Sequence, residues 1–218
     1  MTKDLREPLV VIGGGGHAKV VIEAARASGL WDVVGVVDAS PSAAPCLGVP
    51  VLGGDEILPR LLAEGIASAV LALGGNALRE RLGRHALDLG FELPAIIHPS
   101  ALISPSAKIG KGVVVMARAV VGTETTVSDL AIVNTGAVLD HDNVLGRAAH
   151  VAPGCALAGN VSVGDRSLVG VGTAVRPLIR IGADVVVGAG SVIVADIPDG
   201  AFVGGAPARP LRGRSSVT

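Results

Sequence analysis

His141 is followed directly by Asp142. A carboxylate beside an imidazole fixes the ring in one tautomer and raises its basicity, which is what a general base needs. His150 lies downstream in the same run, and a glycine run, Gly13-Gly14-Gly15-Gly16-His17, lies far upstream. Gly15 and Gly16 let backbone N–H groups approach a diphosphate at a helix N-terminus, where the helix dipole favours negative charge. Gly13, Gly15 and Ala18 satisfy a loose dinucleotide fingerprint, and Asp38, about twenty residues on, stands where a carboxylate accepts hydrogen bonds from a base or ribose. Cys46 and Cys155 have neither C-x-x-C spacing nor a neighbouring histidine, so no metal site is expected and both read as reduced packing residues.

The elements that would carry these residues fall into two patterns. The first part alternates strand and helix. Leu9 to Ile12 reads as a strand, His17 to Ser28 as a helix, Val33 to Val37 as a strand ending in Asp38, Val49 to Leu52 as a third short strand, 55–64 as a helix and Ala69 to Leu73 as a fourth strand. Gly74-Gly75-Asn76 then opens a helix to about Leu89. Such alternation predicts a small parallel sheet flanked by helices, with ligands at the carboxyl ends of the strands. Residues 1–95 hold one mononucleotide-binding half and no second half for a nicotinamide, so the expected ligand is a single nucleotide and not NAD.

The second pattern has a period of six. Counting from Ile97 through Ile103, Ile109 and Val115 to Val187 and Ile193, seventeen consecutive positions are Ile, Leu or Val. Two residues before many of them stands a small side chain, as at Ala101, Ala119, Thr125, Ala137, Cys155, Ser167 and Ser191. A helix would place apolar residues three and four apart and an ordinary strand two apart. Six suits a short strand plus a tight turn, three of which close one coil of a triangular prism with the aliphatic residue pointing in. The run predicts a parallel β-helix over 96–198, about 27 Å long, and a tail over 199–218. His141 follows the inward Leu139 by two positions and is therefore expected to face outward.

Composition agrees with a narrow aliphatic core. Half the residues are hydrophobic, yet the aromatic ones are only Phe91, Phe202 and Trp31. A net charge of −1, with no Lys/Arg cluster among aromatic residues, excludes nucleic acid as the expected partner. The apolar run before the first glycines is too short for a signal sequence or a membrane span, so the expected compartment is the cytoplasm, without membrane attachment.

Four segments carry a resemblance: Gly13-Gly14-Gly15-Gly16-His17, Ile97-His98-Pro99-Ser100-Ala101, Asn134-Thr135-Gly136-Ala137-Val138-Leu139-Asp140-His141-Asp142 and Gly204-Gly205-Ala206-Pro207-Ala208. Over nearly its whole length the chain resembles the sugar-nucleotide acetyltransferases of the hexapeptide superfamily. These include sialic acid O-acetyltransferases and N-acetyltransferases of UDP- or GDP-linked 4-amino-4,6-dideoxy sugars. The resemblance implies a left-handed β-helix and a homotrimer with active sites in the clefts between prisms. It also implies acetyl-CoA as cosubstrate, a nucleotide-linked amino sugar of GDP-perosamine or UDP-bacillosamine-precursor type as acceptor, and no metal. His141 would then be the general base with Asp142 as its acidic partner. His150, Gly159, Val171 and Ala189 match the acetyl-CoA contacts; Gly15, Gly16, His17, Asp38, Gly74 and Asn134 are placed with the sugar nucleotide.

Two other readings use the same prism. A zinc hydro-lyase of the γ-carbonic anhydrase type needs three histidines across a subunit interface. Here only His98, His141 and His150 lie in or beside the repeat, and such an enzyme has no use for a nucleotide domain. A non-catalytic nucleotide-sugar-binding protein would leave His141 a solvated surface residue. His85 falls within a helix and is given no role, while Arg209, Arg212 and Arg214 are basic residues near the end with some reach toward CoA phosphates.

Overall fold

A computed structural model of the chain describes residues 6–39 and 45–211. Its first part is a parallel sheet of four strands, β1 (Glu7–Ile12), β2 (Trp31–Val37), β3 (Val51–Gly53) and β4 (Ser68–Leu71), in the order β3-β2-β1-β4. The helices are α1 (Gly16–Ser28), α2 (Leu58–Ala63), preceded by a single 3₁₀ turn, and α3 (Asn76–Leu89). Strand β1 reads as a continuous apolar run because helices cover both of its faces. Leu9 and Val11 pack with α1, and Val10 and Ile12 with α2 and α3. Helices α1 and α3 end on Gly29 and Gly90 in the left-handed conformation, the usual stop for a helix.

The second part is the three-sided column that the period of six predicts. Each repeat contributes a ladder of two residues, because the chain turns again at once. The ladders stack in parallel at an offset of eighteen residues, as in Ile132 on Val114 and His150 on Ile132. In chain order the first face begins at Ile96–Ile97, the second at Leu102–Ile103 and the third at Lys108–Ile109, forming sheets of eight, six and five strands. The register is unbroken from Ile96 to Ile193.

From Val115 to Ile193 the inward aliphatics form one continuous buried core. Each fully buried Val, Leu or Ile of this column contributes about 1.5–3 kcal/mol. The small residues two positions earlier are buried as well; Thr125, Ser167, Thr173 and Ser191 sit at 0–1% exposure and use their hydroxyls on backbone oxygens. Beyond Ile193 the chain adds Phe202–Gly204 in parallel to the first face and returns antiparallel at Arg209–Pro210, so part of 199–218 belongs to the sheet. Arg212 and Arg214 lie outside the described residues.

The α/β unit sits on the first face. Its α1 covers the outward side chains Ile96, Val114 and Ile132, all fully buried, together with Met116. The next outward residues up that face are His150, Leu168 and Val186, only partly buried. His150 therefore stands where the packed junction opens into a cleft. No helix among the described residues is long and apolar enough to cross a membrane.

Candidate functional site

The sequence-predicted residues gather into three groups. The first is the loop after β1. Gly13 adopts φ +104, a conformation disfavoured for any residue with a side chain, and a Cβ there would lie 2.7 Å from Leu73 Cδ2. The turn brings the Gly14 N–H to Asp38 Oδ2 at 2.5 Å, so Asp38 braces the loop from the end of β2. Nothing lies within 4 Å of the Cβ positions of Gly15, Gly16 or Gly74, leaving open space before the N-terminus of α1 and beside the end of β4. Gly74 also borders a cleft of about 160 Å³, floored by Leu168 and Val186 of the first face and walled by Asn76, Arg166 and Asp184.

The second group joins the two parts of the molecule. His17 at the start of α1 and His150 on the first face bring their ring centroids to 6.3 Å. Asn134, 9% exposed, donates through Nδ2 to His150 Nε2 at 3.0 Å. Burial, reinforced by the nearby Arg79 guanidinium, lowers the His17 pKa to about 4. Burial, Arg79 and His17 together lower that of His150 to about 3. Both rings are neutral at physiological pH.

The third group is on another edge of the prism. His141 and Asp142 form the turn between the second and third faces. Asp142 sits at φ +56, a conformation that aspartate tolerates better than most residues, and its Oδ2 accepts from His141 Nδ1 at 2.7 Å. This bond leads the causes that raise the His141 pKa, with the charges of Asp140 and Asp142 adding to it. With Nδ1–H given to the carboxylate, Nε2 carries the lone pair.

That Nε2 points along the edge toward Gly159, one coil on. A Cβ on Gly159 would lie 2.3 Å from it, so glycine is what lets the ring lie there. Val171 and Ala189 lie elsewhere, on the turns joining the first and second faces. Thus Asn134, Val171 and Ala189 share one edge of a protomer, and His141, Asp142 and Gly159 share the next.

Sequence reasoning missed Arg79 and Glu80. Arg79 is 0% exposed and donates to the carbonyls of Leu73, Leu130 and Ala148 and to Asn76 Oδ1 at 2.7–2.9 Å. Glu80, 9% exposed, meets Arg84 at 2.8 Å, Arg166 at 3.1 Å and Arg147 at 3.7 Å, and Arg166 in turn holds Asp184. These contacts pin α3 to the prism. The signal was present: Gly83 and Ala86, four and seven places after Arg79, mark a helix face that packs closely, and both are buried. Among the described residues, no cluster of three or more His, Cys, Asp or Glu is grouped to hold a metal ion.

Known proteins share this architecture. Residues 8–85 match the PglD N-terminal domain family. The structure of PerB from Caulobacter crescentus, in complex with CoA and GDP-perosamine, superposes with a TM-score of 0.91 at 52% identity, covering 94% of this chain and 97% of that one. The acetyltransferase domain of PglB from Neisseria gonorrhoeae FA1090, in complex with acetyl coenzyme A, gives 0.89 at 43% identity, covering 94% and 100%. The UDP-N-acetylbacillosamine N-acetyltransferase of Bacillus subtilis (strain 168) is 36% identical over 120 residues, 50% of this chain and 51% of that protein. The chain spans about half the length of the curated relatives it matches, or less.

Proposed function

The chain belongs to the hexapeptide-repeat sugar-nucleotide acetyltransferases, and on that premise we propose that it transfers the acetyl group of acetyl-CoA to the amine of a nucleotide-linked 4-amino-4,6-dideoxy sugar, with GDP-perosamine as the first acceptor to test. The observation that carries this reading is the His141–Asp142 pair: an exposed imidazole whose Nδ1 is engaged by a carboxylate at 2.7 Å and whose Nε2 lies over a glycine.

In the proposed reaction the amine nitrogen attacks the thioester carbonyl while His141 Nε2 accepts the proton that the nitrogen sheds. Asp142 stabilises the imidazolium so formed. Collapse of the tetrahedral adduct breaks the C–S bond, and the CoA thiolate takes the proton back from Nε2. No covalent enzyme intermediate is needed. The sugar nucleotide is held by Gly15, Gly16, His17, Asp38, Gly74 and Asn134, and acetyl-CoA by His150, Gly159, Val171 and Ala189.

We further propose a homotrimer acting in the cytoplasm. Gly159 lies on the His141 edge and Val171 and Ala189 on the neighbouring one, so a cleft that uses all three needs the edges of two copies. Leu178 and Val171, 75% and 54% exposed, and Val138 and Val192, 36% and 37% exposed on the second face, give the prism an apolar surface suited to another copy.

The decisive assay incubates the purified chain with acetyl-CoA and GDP- or UDP-linked 4-amino sugars and follows thiol release. Rapid release with one nucleotide series is expected. Silence toward every nucleotide-linked amine would end the proposal, and full activity from a strict monomer would end the trimer.

A further inference from the structure

Arg79 is a fully buried cation, and no carboxylate among the described residues pairs with it. Its N–H groups are satisfied by neutral oxygens, which leaves the charge itself uncompensated in a region of low dielectric. His17 and His150 share that region.

The direction of the hydrogen bonds there can be worked out. The Thr135 N–H donates to Asn134 Oδ1 at 2.8 Å, so the Asn134 amide nitrogen faces His150 Nε2, at 3.0 Å. Nε2 must therefore accept, and the ring proton resides on Nδ1. His150 Nδ1 and His17 Nε2 are buried, and neither has a hydrogen-bond partner among the described residues. A second proton on His150 would set N–H against N–H across the Asn134 contact.

We propose that Arg79 is a positioning residue for the acetyl-CoA end of the site: tethered to the Ala148 and Ala149 carbonyls next to His150, its charge keeps that ring neutral, so that the Asn134 contact holds it as the Nδ1–H tautomer. The ring then presents one N–H donor, beside His17, to an acceptor oxygen of the acyl donor. Only the identity of that oxygen rests on the acetyl-transfer reading. The charged and titratable groups acting on His150 are Arg79 from α3 and His17 from α1, and on His17 the acting charge is Arg79.

The test is imidazole nitrogen NMR of the full chain from pH 4 to 8, on wild type, Arg79→Lys and Arg79→Met, with the KM for acetyl-CoA followed over the same range. Five histidines make assignment by single substitution practical. Wild-type His150 is expected as the neutral Nδ1–H form throughout. In Arg79→Met its midpoint should rise, with burial still holding it below the ordinary value, and KM should rise about tenfold per pH unit below the new midpoint while the pH profile of kcat stays in place. Arg79→Lys keeps the charge and should restore the wild-type profile.

An Nε2–H tautomer in wild type, a His150 midpoint near its ordinary value, or a folded Arg79→Met with wild-type titration would each overturn the proposal. If Arg79→Met does not fold, the same titration of Arg79→Gln, which drops the charge and keeps a hydrogen-bond donor, decides. A His150 midpoint that rises in Arg79→Met, in a protein with no affinity for acetyl-CoA, would uphold the role of Arg79 and sink the acetyl-transfer reading instead.

Discussion

Two histidine sites of one chain occupy opposite surroundings. His141 is exposed, faces Asp142 and has its pKa raised by that contact. His17 and His150 lie largely buried beside the Arg79 guanidinium and have theirs lowered to about 4 and about 3. The same side chain is prepared at one place to take up a proton and at the other to refuse one. The difference comes from the elements beneath: a tight turn on a prism edge leaves a ring in solvent next to its neighbour in sequence, whereas a helix laid on a flat face encloses whatever lies between.

The contrast can be broken most severely at His141. Its replacement by alanine should lower kcat by about 10² to 10⁴-fold with the thermal melt unchanged, since general-base loss typically has that effect. Near-normal turnover by the folded variant would remove His141 from the chemistry. Next comes Gly159→Ala. The backbone there is one that any residue adopts, so the added methyl acts by pushing the His141 ring aside, and a displacement of about 1 Å costs roughly 10² in rate. Unchanged steady-state kinetics would show that the ring has another productive position.

Asp142→Asn should lower the neutral-pH rate about tenfold and move the acid limb of kcat/KM to lower pH, because the carboxylate that raises the His141 pKa is gone. A limb that stays in place would assign the raised basicity elsewhere. The smallest effect concerns stability. For His17 and His150 the unfolded chain binds protons more readily than the folded one, so their contribution is complete above about pH 6.5 and is lost as pH falls toward 4 and 3. Urea midpoints should be flat above neutrality and decline below it, with a slope of up to about 1.4 kcal/mol per pH unit per imidazole. His150→Gln should flatten that decline, and an identical slope in the variant would place the proton uptake at other groups.

The prism was legible because each inward position repeats one demand, an aliphatic side chain beside a small one, and no other spacing meets it. The α/β unit was legible to within a residue or two at most strand and helix ends, through its glycines and its apolar runs. The pairing of His141 with Asp142 was legible because the two are adjacent in sequence. The meeting of His17 with His150 was not, since it depends on where α1 comes to rest on the first face. Arg79 and Glu80 are charged residues whose burial only Gly83 and Ala86 on the same face of α3 hinted at, and their partners are set by where that helix docks. Contacts made within one coil could be read; those made by apposition of two units could not.

The eighteen-residue stacking also gives every side chain of the prism an angular address. Removing one six-residue repeat between His141 and Gly159 would leave the column intact but rotate everything beyond it by a third of a turn, so that Gly159 would no longer share an edge with His141. Removing three repeats would preserve the phase and shorten the axis by about one strand spacing. Length can thus drift in whole coils without scrambling the site, while any other increment reassigns which edge each residue presents to its neighbour.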